Sequence, residues 1–311
     1  MSDTSNAHPT PTARAREIVA GAYDTHVHVA PDVMRRRIDD VTLARRFSEV
    51  GLAGFVLKSH YVPTAERAEV VRGIVPGVGA LGALTLNGSV GGLNPVAVEI
   101  AGRQGARVVW LPTVDCANER ASRADPAPGT PVPMWAALQD ELAEQGIVAP
   151  TIEVVDDHGE IRPELLAVLA VIAKHDLVLA TGHLSGPEIV EVVDAAADAG
   201  VRHIIVTHPE FTSQQLDVAT QRHLAERSAL LERCFTTPYT GKVSWDLVFE
   251  HIRATGPENS ILSSDLGQPF NPPVEDGLAL LADRLLDAGF SEGDVHTMAV
   301  VNSRRVAEPT P

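Results

Sequence analysis

One short stretch near the N-terminus carries an acid and two imidazoles at alternate positions. It reads Asp24-Thr25-His26-Val27-His28 and follows an apolar run. Alternate side chains of a strand share a face, so Asp24, His26 and His28 are expected to lie together. Two imidazoles at this spacing can bind one metal ion. We expect His26 and His28 to be metal ligands, with Asp24 supporting them through hydrogen bonds.

The elements that must position these side chains follow a repeated order along the chain. A helical stretch ends at a glycine, and a short β-branched run then closes on a polar residue. Eight such runs predict strands near residues 22–29, 53–59, 78–86, 107–113, 177–182, 203–208, 231–237 and 260–265. Eight strands alternating with helices in 311 residues predict an α/β fold, a distorted (β/α)8 TIM barrel. The alternative, an open doubly wound sheet, is disfavoured because no glycine-rich phosphate loop follows the first strand.

Two stretches interrupt this order. Residues 115–133 are rich in Ala, Pro and Arg and are predicted to form a long surface loop after the fourth strand. Residues 147–161 carry an Asp-Asp-His-Gly sequence in their middle, which predicts a small inserted β-hairpin with its turn there. Two helical stretches, 274–288 and 291–307, are expected to close the chain.

The ends of the chain and its composition restrict the class of protein. Residues 1–16 have no apolar stretch and are predicted to be a flexible tail, not a signal peptide, which leaves 17–311 as a single barrel domain. The net charge of −16 argues against nucleic acid and anionic membranes as partners. Two cysteines, Cys116 and Cys234, give no disulfide framework. We therefore expect a cytoplasmic homo-oligomer that binds a small-molecule substrate.

Polar and metal-capable residues close most of the predicted strands, and in a barrel of this kind the active site lies at those C-terminal ends. These residues are His26 and His28 on the first strand, Lys58 and His60 on the second, Asn87 on the third, His183 on the fifth, His208 on the sixth and Asp265 on the eighth. Packing does not explain five histidines at such positions, because the core positions of strands prefer apolar side chains. The set is typical of a hydrolytic metal site.

On these residues the chain resembles the amidohydrolase superfamily of metal-dependent hydrolases. The resemblance spans residues 20–306 and rests on segments that occur in the expected order. They are Asp24-x-His26-x-His28, Thr181-Gly182-His183-Leu184-Ser185, Thr207-His208-Pro209-Glu210, Ser264-Asp265 and Asn302-Ser303-Arg304-Arg305. The resemblance implies that the histidines and Asp265 bind metal, and that Asp265 also transfers protons. It further implies that a metal-activated hydroxide attacks the carbonyl carbon of a small cyclic amide, a lactone or a related acyl compound.

The fourth strand departs from the pattern of this superfamily. Many members with two metal ions take a carboxylated Lys or a Glu from this strand as a bridging ligand, but Val109-Trp110-Leu111-Pro112-Thr113 offers neither. We expect Lys58 to replace it as a carbamate. The site then holds two divalent ions if Lys58 bridges and one if it does not. Zinc is the expected metal, with manganese and iron as alternatives.

Several roles and functions stay open at the level of the sequence. His60 is a catalytic residue that acts as a metal ligand, a general acid or a hydrogen-bond donor to substrate. Arg35, Arg36 and Asn87 are predicted to bind substrate, although a solvated charge run is the alternative for the arginines. The competing functions are a decarboxylase-type lyase with one metal ion, a phosphoesterase, and a metal-binding protein without catalysis.

Overall fold

The computed structural model describes residues 8–124 and 134–308. Its strands are β1 (Tyr23–Val27), β2 (Gly54–Leu57), β3 (Gly79–Thr85), β4 (Ala106–Trp110), β5 (Val178–Ala180), β6 (His203–Val206), β7 (Leu230–Cys234) and β8 (Ser260–Ser263). The helices before β5 are α1 (Ala13–Val19), α2 (Asp40–Val50), α3 (Ala65–Ile74), α4 (Pro95–Arg103), α5 (Ala117–Ala124), α6 (Met134–Glu144) and α7 (Pro163–Lys174). Those after β5 are α8 (Gly186–Asp198), α9 (Val218–Glu226), α10 (Thr236–Tyr239), α11 (Trp245–Thr255), α12 (Gly277–Asp287), α13 (Glu292–His296) and α14 (Asn302–Ala307).

The strands form one sheet in the order β1 to β8, and helices alternate with them along the chain. The pairs β1–β2, β3–β4, β4–β5, β5–β6 and β6–β7 are parallel. This confirms the predicted (β/α)8 barrel class. The register shifts in β1–β2 and again in β3–β4, so the sheet departs from ideal geometry.

The observed strands end one to three residues earlier than predicted, because the polar residues that close each run leave the ladder. β2 ends at Leu57, so Lys58 and His60 lie in the loop that follows it. His28 lies outside β1, and its backbone N–H donates to the carbonyl of Leu266 at 2.8 Å. Side chains held in loops just after strands can turn toward a common point without breaking the sheet.

The chain divides into two compact units. One comprises Met1–Leu57, Val70–Ala80 and Arg233–Pro311, and the other comprises Lys58–Glu69 and Leu81–Glu232. In the first unit α1 packs on α12, and the N–H and hydroxyl of Thr12 both donate to the carboxylate of Asp283.

The core of the second unit lies between its strands and its helices. Fully buried aliphatic side chains of β4 and β5 meet those of α7 and α8, among them Val109, Leu179, Leu169 and Val192. α8 begins with a capping box, in which the N–H and hydroxyl of Ser185 both donate to Glu188. This cap fixes the chain that leaves β5 and therefore the loop that carries His183.

Three sequence predictions about the chain need correction. Residues 13–16 of the predicted tail belong to α1, which begins because the Thr12 side chain caps it. The predicted loop 115–133 contains helix α5, while its later part, 125–133, lies outside the described residues. The predicted hairpin at 147–161 is not shown, since its two sides make a single antiparallel bridge, Val155 to Ile161. The Asp156 carboxylate accepts two backbone N–H groups there, which closes a turn without flanking strands.

The structure also bears on the cysteines, on membrane-spanning helices and on the helices that close the chain. Both cysteines are buried thiols. Among residues 8–124 and 134–308, no helix has the length and apolar character needed to cross a bilayer. The helices predicted at 274–288 and 291–307 are present, the second as α13 and α14 joined by a π-helical stretch, Thr297–Val301.

Candidate metal centre

The first unit brings three predicted ligands together where β1 and β8 end. A backbone hydrogen bond holds the two strand ends together, since the N–H of Asp265 donates to the carbonyl of His26 at 2.9 Å. The Nε2 atoms of His26 and His28 each lie 3.2 Å from Oδ1 of Asp265. Both imidazoles are buried, and the Asp265 side chain is 15% exposed. The carboxylate therefore lies between two ring nitrogens and keeps some access to water.

The donor set fits a divalent metal ion. One ligand atom each from His26, His28 and Asp265 lies within 4.8 Å of the others. Two neutral nitrogens and one anionic oxygen suit zinc, manganese or iron, and three protein ligands leave a coordination position for water or substrate. The three residues predicted on β1 and β8 are thus arranged as a metal site requires.

Nδ1, the ring nitrogen that does not face Asp265, has a different neighbour in each imidazole. Nδ1 of His26 lies 3.9 Å from Sγ of Cys234, and Nδ1 of His28 lies 3.4 Å from Nη2 of Arg36. An arginine only donates, so in this contact Nδ1 of His28 accepts and Nε2 carries the hydrogen that faces Asp265. An ion at Nε2 of His28 requires that hydrogen to move to Nδ1, and the guanidinium to turn away from it.

The three arginines after β1 have different surroundings. Arg36 donates from Nε to Asp32 at 2.7 Å, and both side chains are only 3% exposed. Arg37 donates to the backbone carbonyls of Pro269 and Asn271 and so ties this loop to the loop after β8. Arg35 is exposed. Substrate binding by Arg35 and Arg36 stays a prediction.

Asp24 lies on β1, two residues before His26, and is completely buried. Its Oδ1 accepts the backbone N–H of His26 at 3.2 Å and that of Ser264 at 3.0 Å, which ties β1 to the end of β8. Burial raises the pKa of this carboxyl group to about 7, against the lowering effect of its hydrogen bonds with Ser264 and His26. Asp24 therefore supports the backbone that carries the ligands.

The second unit contains two more of the predicted ligands. His183 follows β5 and His208 follows β6, and their ring centroids are 5.1 Å apart. Gly182 positions His183, because its φ of +64° is left-handed and a Cβ there would lie 2.4 Å from the carbonyl oxygen of Leu111. Phe211 packs against both rings, with centroid separations of 6.1 Å and 4.7 Å.

Glu119 lies behind His183 and was not identified from the sequence. Its Oε2 is 3.2 Å from Nδ1 of His183, although the ring is not aligned for a hydrogen bond, and it also accepts the hydroxyl of Ser213 at 3.1 Å. A carboxylate only accepts, so it favours the hydrogen on Nδ1 of His183 and leaves Nε2 able to bind a metal ion. Glu119 lies in the first turn of α5, within the segment predicted to be a loop.

His60, Asn87 and Lys58 also lie in the second unit. Nδ1 of His60 is 2.9 Å from Oγ1 of Thr113, and Asn87 bonds to both residues. The ring centroids of His60 and His183 are 6.3 Å apart. The amine of Lys58 is buried and lies 5.1 Å from the centroid of the Trp110 ring. The carbamate on Lys58 and substrate binding by Asn87 stay predictions.

A family model described as "Family of unknown function (DUF6282)" matches residues 21–232. The chain belongs to DUF6282. That description adds no reaction to the site. No curated protein sequence matches this DUF6282 chain.

Solved structures share the fold of this DUF6282 chain at low sequence identity. An amidohydrolase from Pseudomonas aeruginosa is similar at TM-score 0.60 and 11% identity, with 96% of this chain and 98% of that one covered. A putative 2-pyrone-4,6-dicarboxylic acid hydrolase from Pseudomonas putida has TM-score 0.57 and 15% identity, with 92% and 97% covered. An amidohydrolase from Burkholderia multivorans with bound zinc has TM-score 0.55 and 13% identity, with 93% and 99% covered. The fold expected from the resemblance to amidohydrolases is confirmed.

Proposed function

We propose that this chain is a metal-dependent hydrolase of the amidohydrolase type that acts on a small cyclic amide, a lactone or a related acyl substrate. The observation that carries the proposal is the convergence of His26, His28 and Asp265. Two imidazole nitrogens 3.2 Å from one carboxylate oxygen, in a largely buried setting, form a site that a divalent ion completes. A partly exposed Asp265 allows water or substrate to reach the same point.

The site residues have separate tasks in such a reaction. A bound divalent ion supplies activation of water near neutral pH and polarisation of a carbonyl. His26 and His28 would hold it through Nε2. Asp265 accepts the proton of the attacking water and delivers it to the leaving group. Its side chain is 15% exposed, more than either ring, which suits this transfer.

A second ion is part of the proposal in the second unit. His183 and His208 would hold it there, and a carbamate on Lys58 would supply an anionic oxygen ligand. Carbamate formation is reversible, so protein reconstituted with 13C-bicarbonate is expected to show a carbamate 13C signal that Lys58→Ala lacks. A wild-type spectrum without that signal, in protein that holds two ions, would show that Lys58 is not carboxylated.

The substrate class follows from the kind of reaction and from the similar structures. One of these is named as a putative 2-pyrone-4,6-dicarboxylic acid hydrolase, and a pyrone is a cyclic ester. Hydrolysis of a ring ester or ring amide needs only activated water, carbonyl polarisation and a proton carrier. We further propose a cytoplasmic homo-oligomer without nucleic-acid or membrane partners.

The test is metal analysis of the purified protein together with a hydrolysis screen of lactones and cyclic amides. We expect bound divalent metal, and a ring-opening activity that is lost in Asp265→Asn. His158→Ala is the matched control, because His158 is exposed and remote from both clusters in sequence. Metal-free protein that hydrolyses a substrate as fast as loaded protein would overturn the proposal.

The same screen distinguishes the two competing reactions. Release of carbon dioxide from a carboxylated substrate, with one ion bound, would identify a decarboxylase-type lyase. Hydrolysis of a phosphate ester would identify a phosphoesterase. The arginines give this last function little support, since Arg36 is paired with buried Asp32 and Arg37 bonds to backbone carbonyls.

A further inference from the structure

The side-chain amide of Asn87 has only one orientation that satisfies its neighbours. Asn87 is completely buried. Its Oδ1 faces two backbone N–H groups, those of Thr113 at 2.9 Å and Asp115 at 3.4 Å. Its Nδ2 faces the backbone carbonyl of His60 at 2.9 Å and Oγ1 of Thr113 at 2.7 Å. The reversed amide would set donors against donors, so Nδ2 donates to the hydroxyl oxygen of Thr113.

Among residues 8–124 and 134–308, the hydroxyl hydrogen of Thr113 then has one acceptor within reach. Thr113 is completely buried, and its Oγ1 makes two contacts, one with Nδ2 of Asn87 and one with Nδ1 of His60 at 2.9 Å. Asn87 uses its nitrogen in this contact and cannot accept. The Thr113 hydroxyl therefore donates to Nδ1 of His60. If Nδ1 carried the hydrogen instead, the hydroxyl would be left as a buried donor without an acceptor, which folded proteins avoid.

We propose that Asn87 and Thr113 hold neutral His60 in the tautomer with its hydrogen on Nε2, which makes His60 a hydrogen-bond donor and not a metal ligand. A neutral imidazole has one nitrogen that donates and one that accepts. With Nδ1 accepting from Thr113, the Nε2 lone pair that a metal ion needs is absent. Moving the hydrogen to Nδ1, as an ion at His28 requires of that ring, would here leave the buried Thr113 hydroxyl without an acceptor. Of the three roles that the sequence left open for His60, this tautomer favours the hydrogen-bond donor.

The consequence for catalysis rests on the proposed function. An Nε2–H group directed at a carbonyl oxygen stabilises the negative charge that develops when water attacks. Asn87 and Thr113 are positioning residues, since they act on substrate only through His60. The four polar contacts of the Asn87 amide are made with described residues of the protein.

The test is 15N NMR of the purified protein with 15N-labelled histidine, with and without zinc. The His60 signals are identified by their loss in His60→Gln. In the wild type we expect Nδ1 of His60 to show the shift of a nitrogen without hydrogen and Nε2 that of a protonated nitrogen. Thr113→Val removes the donor and should move both signals toward a mixture of tautomers. Thr113→Ser keeps the hydroxyl and should restore the wild-type pattern.

Metal content provides a second readout that needs no substrate. His60→Gln and Thr113→Val are expected to retain zinc at the wild-type level. A wild-type Nδ1 that carries the hydrogen, or loss of bound zinc in His60→Gln, would overturn the inference. Neither measurement uses hydrolysis. A protein that opens no lactone or amide would therefore refute the proposed function, while the NMR signals would still determine the tautomer of His60.

Discussion

His60 and His183 occupy equivalent places in the fold and have opposite chemistry. Each follows a strand, β2 or β5, each is buried, and their ring centroids are 6.3 Å apart. Nδ1 of His183 faces the carboxylate of Glu119, whereas Nδ1 of His60 faces the hydroxyl of Thr113. A carboxylate only accepts, so it favours the hydrogen on Nδ1 of His183 and leaves Nε2 with the lone pair that an ion would need. The hydroxyl donates, so Nε2 of His60 keeps its hydrogen.

The difference shows that the group facing Nδ1 decides whether Nε2 of the same ring carries a hydrogen or a lone pair. In the first unit, Nε2 of His28 can bind an ion only after Nδ1 loses its contact with Arg36 and takes the hydrogen. Cys234 lies behind His26, and the guanidinium of Arg36 lies behind His28. The position of a histidine at a strand end therefore does not distinguish a metal ligand from a hydrogen-bond donor. The following predictions test whether the group that faces Nδ1 does.

Removal of a ligand should have the largest effect. His26→Ala takes away one of the two nitrogens that converge with Asp265 and should lose most bound metal, a greater loss than the about 10–100-fold that outer partners cost. Unfolding in urea should show an intact cooperative fold, because the apolar core is built elsewhere. Elemental analysis is the measurement, with His158→Ala as the control. Full metal content in His26→Ala would remove this residue from the site.

A buried carboxylate that supports the backbone of the ligand loop should act on stability instead. Asp24 has a pKa of about 7 in the fold and about 3.9 in the unfolded chain. Between these values the unfolded chain has lost a proton that the folded protein keeps. The stability of metal-free protein should therefore be full below about pH 4 and fall as the pH rises through 7, by up to about 4 kcal/mol.

The substitution Asp24→Asn should remove that pH dependence. Urea unfolding of both metal-free proteins at pH 4, 6 and 8 measures it. Asn retains an oxygen for the backbone N–H groups of His26 and Ser264, so the local hydrogen bonds survive. The same fall in stability for both proteins would assign the effect to other groups.

A substitution of Glu119, which faces Nδ1 of His183, tests the comparison between His183 and His60. Glu119→Ala should weaken metal binding by about 10–100-fold, as loss of an outer carboxylate does elsewhere. Glu119→Gln should lose less, because its amide oxygen can face Nδ1 as the carboxylate does. Competition with a chelator measures the affinity, and Glu164→Ala on an exposed face of α7 is the control. Equal affinities in all three variants would leave His183 without a metal role.

A smaller effect is expected from the backbone that positions His183. Gly182 and Gly200 both have positive φ, +64° and +82°, so alanine strains the backbone at either position. A Cβ at Gly182 also meets the carbonyl oxygens of Leu111 and Pro112 at 2.4 Å and 2.5 Å, while Gly200 has open space. Gly182→Ala should therefore lose about 1–3 kcal/mol more stability than Gly200→Ala in urea unfolding. Equal losses would show that the loop before His183 adapts freely.

The sequence predicted the barrel and the convergence of His26, His28 and Asp265, because strand runs and their closing residues are local patterns. It missed Glu119, because the composition of 115–133 indicated a loop where α5 forms. It also left the role of His60 open, since that role depends on Thr113 and Asn87, which lie 53 and 27 residues away. Contacts between distant loops decide tautomers, and periodicity carries no information about them.

The measurement that tests the central claim most directly is a crystal structure of the metal-loaded protein with anomalous data collected at the absorption edge of the bound metal. We predict an anomalous peak within about 2.0–2.2 Å of Nε2 of His26, Nε2 of His28 and an oxygen of Asp265. His60 should lie outside bonding distance of any ion. A fully loaded protein whose anomalous peaks all lie away from His26, His28 and Asp265 would contradict the account.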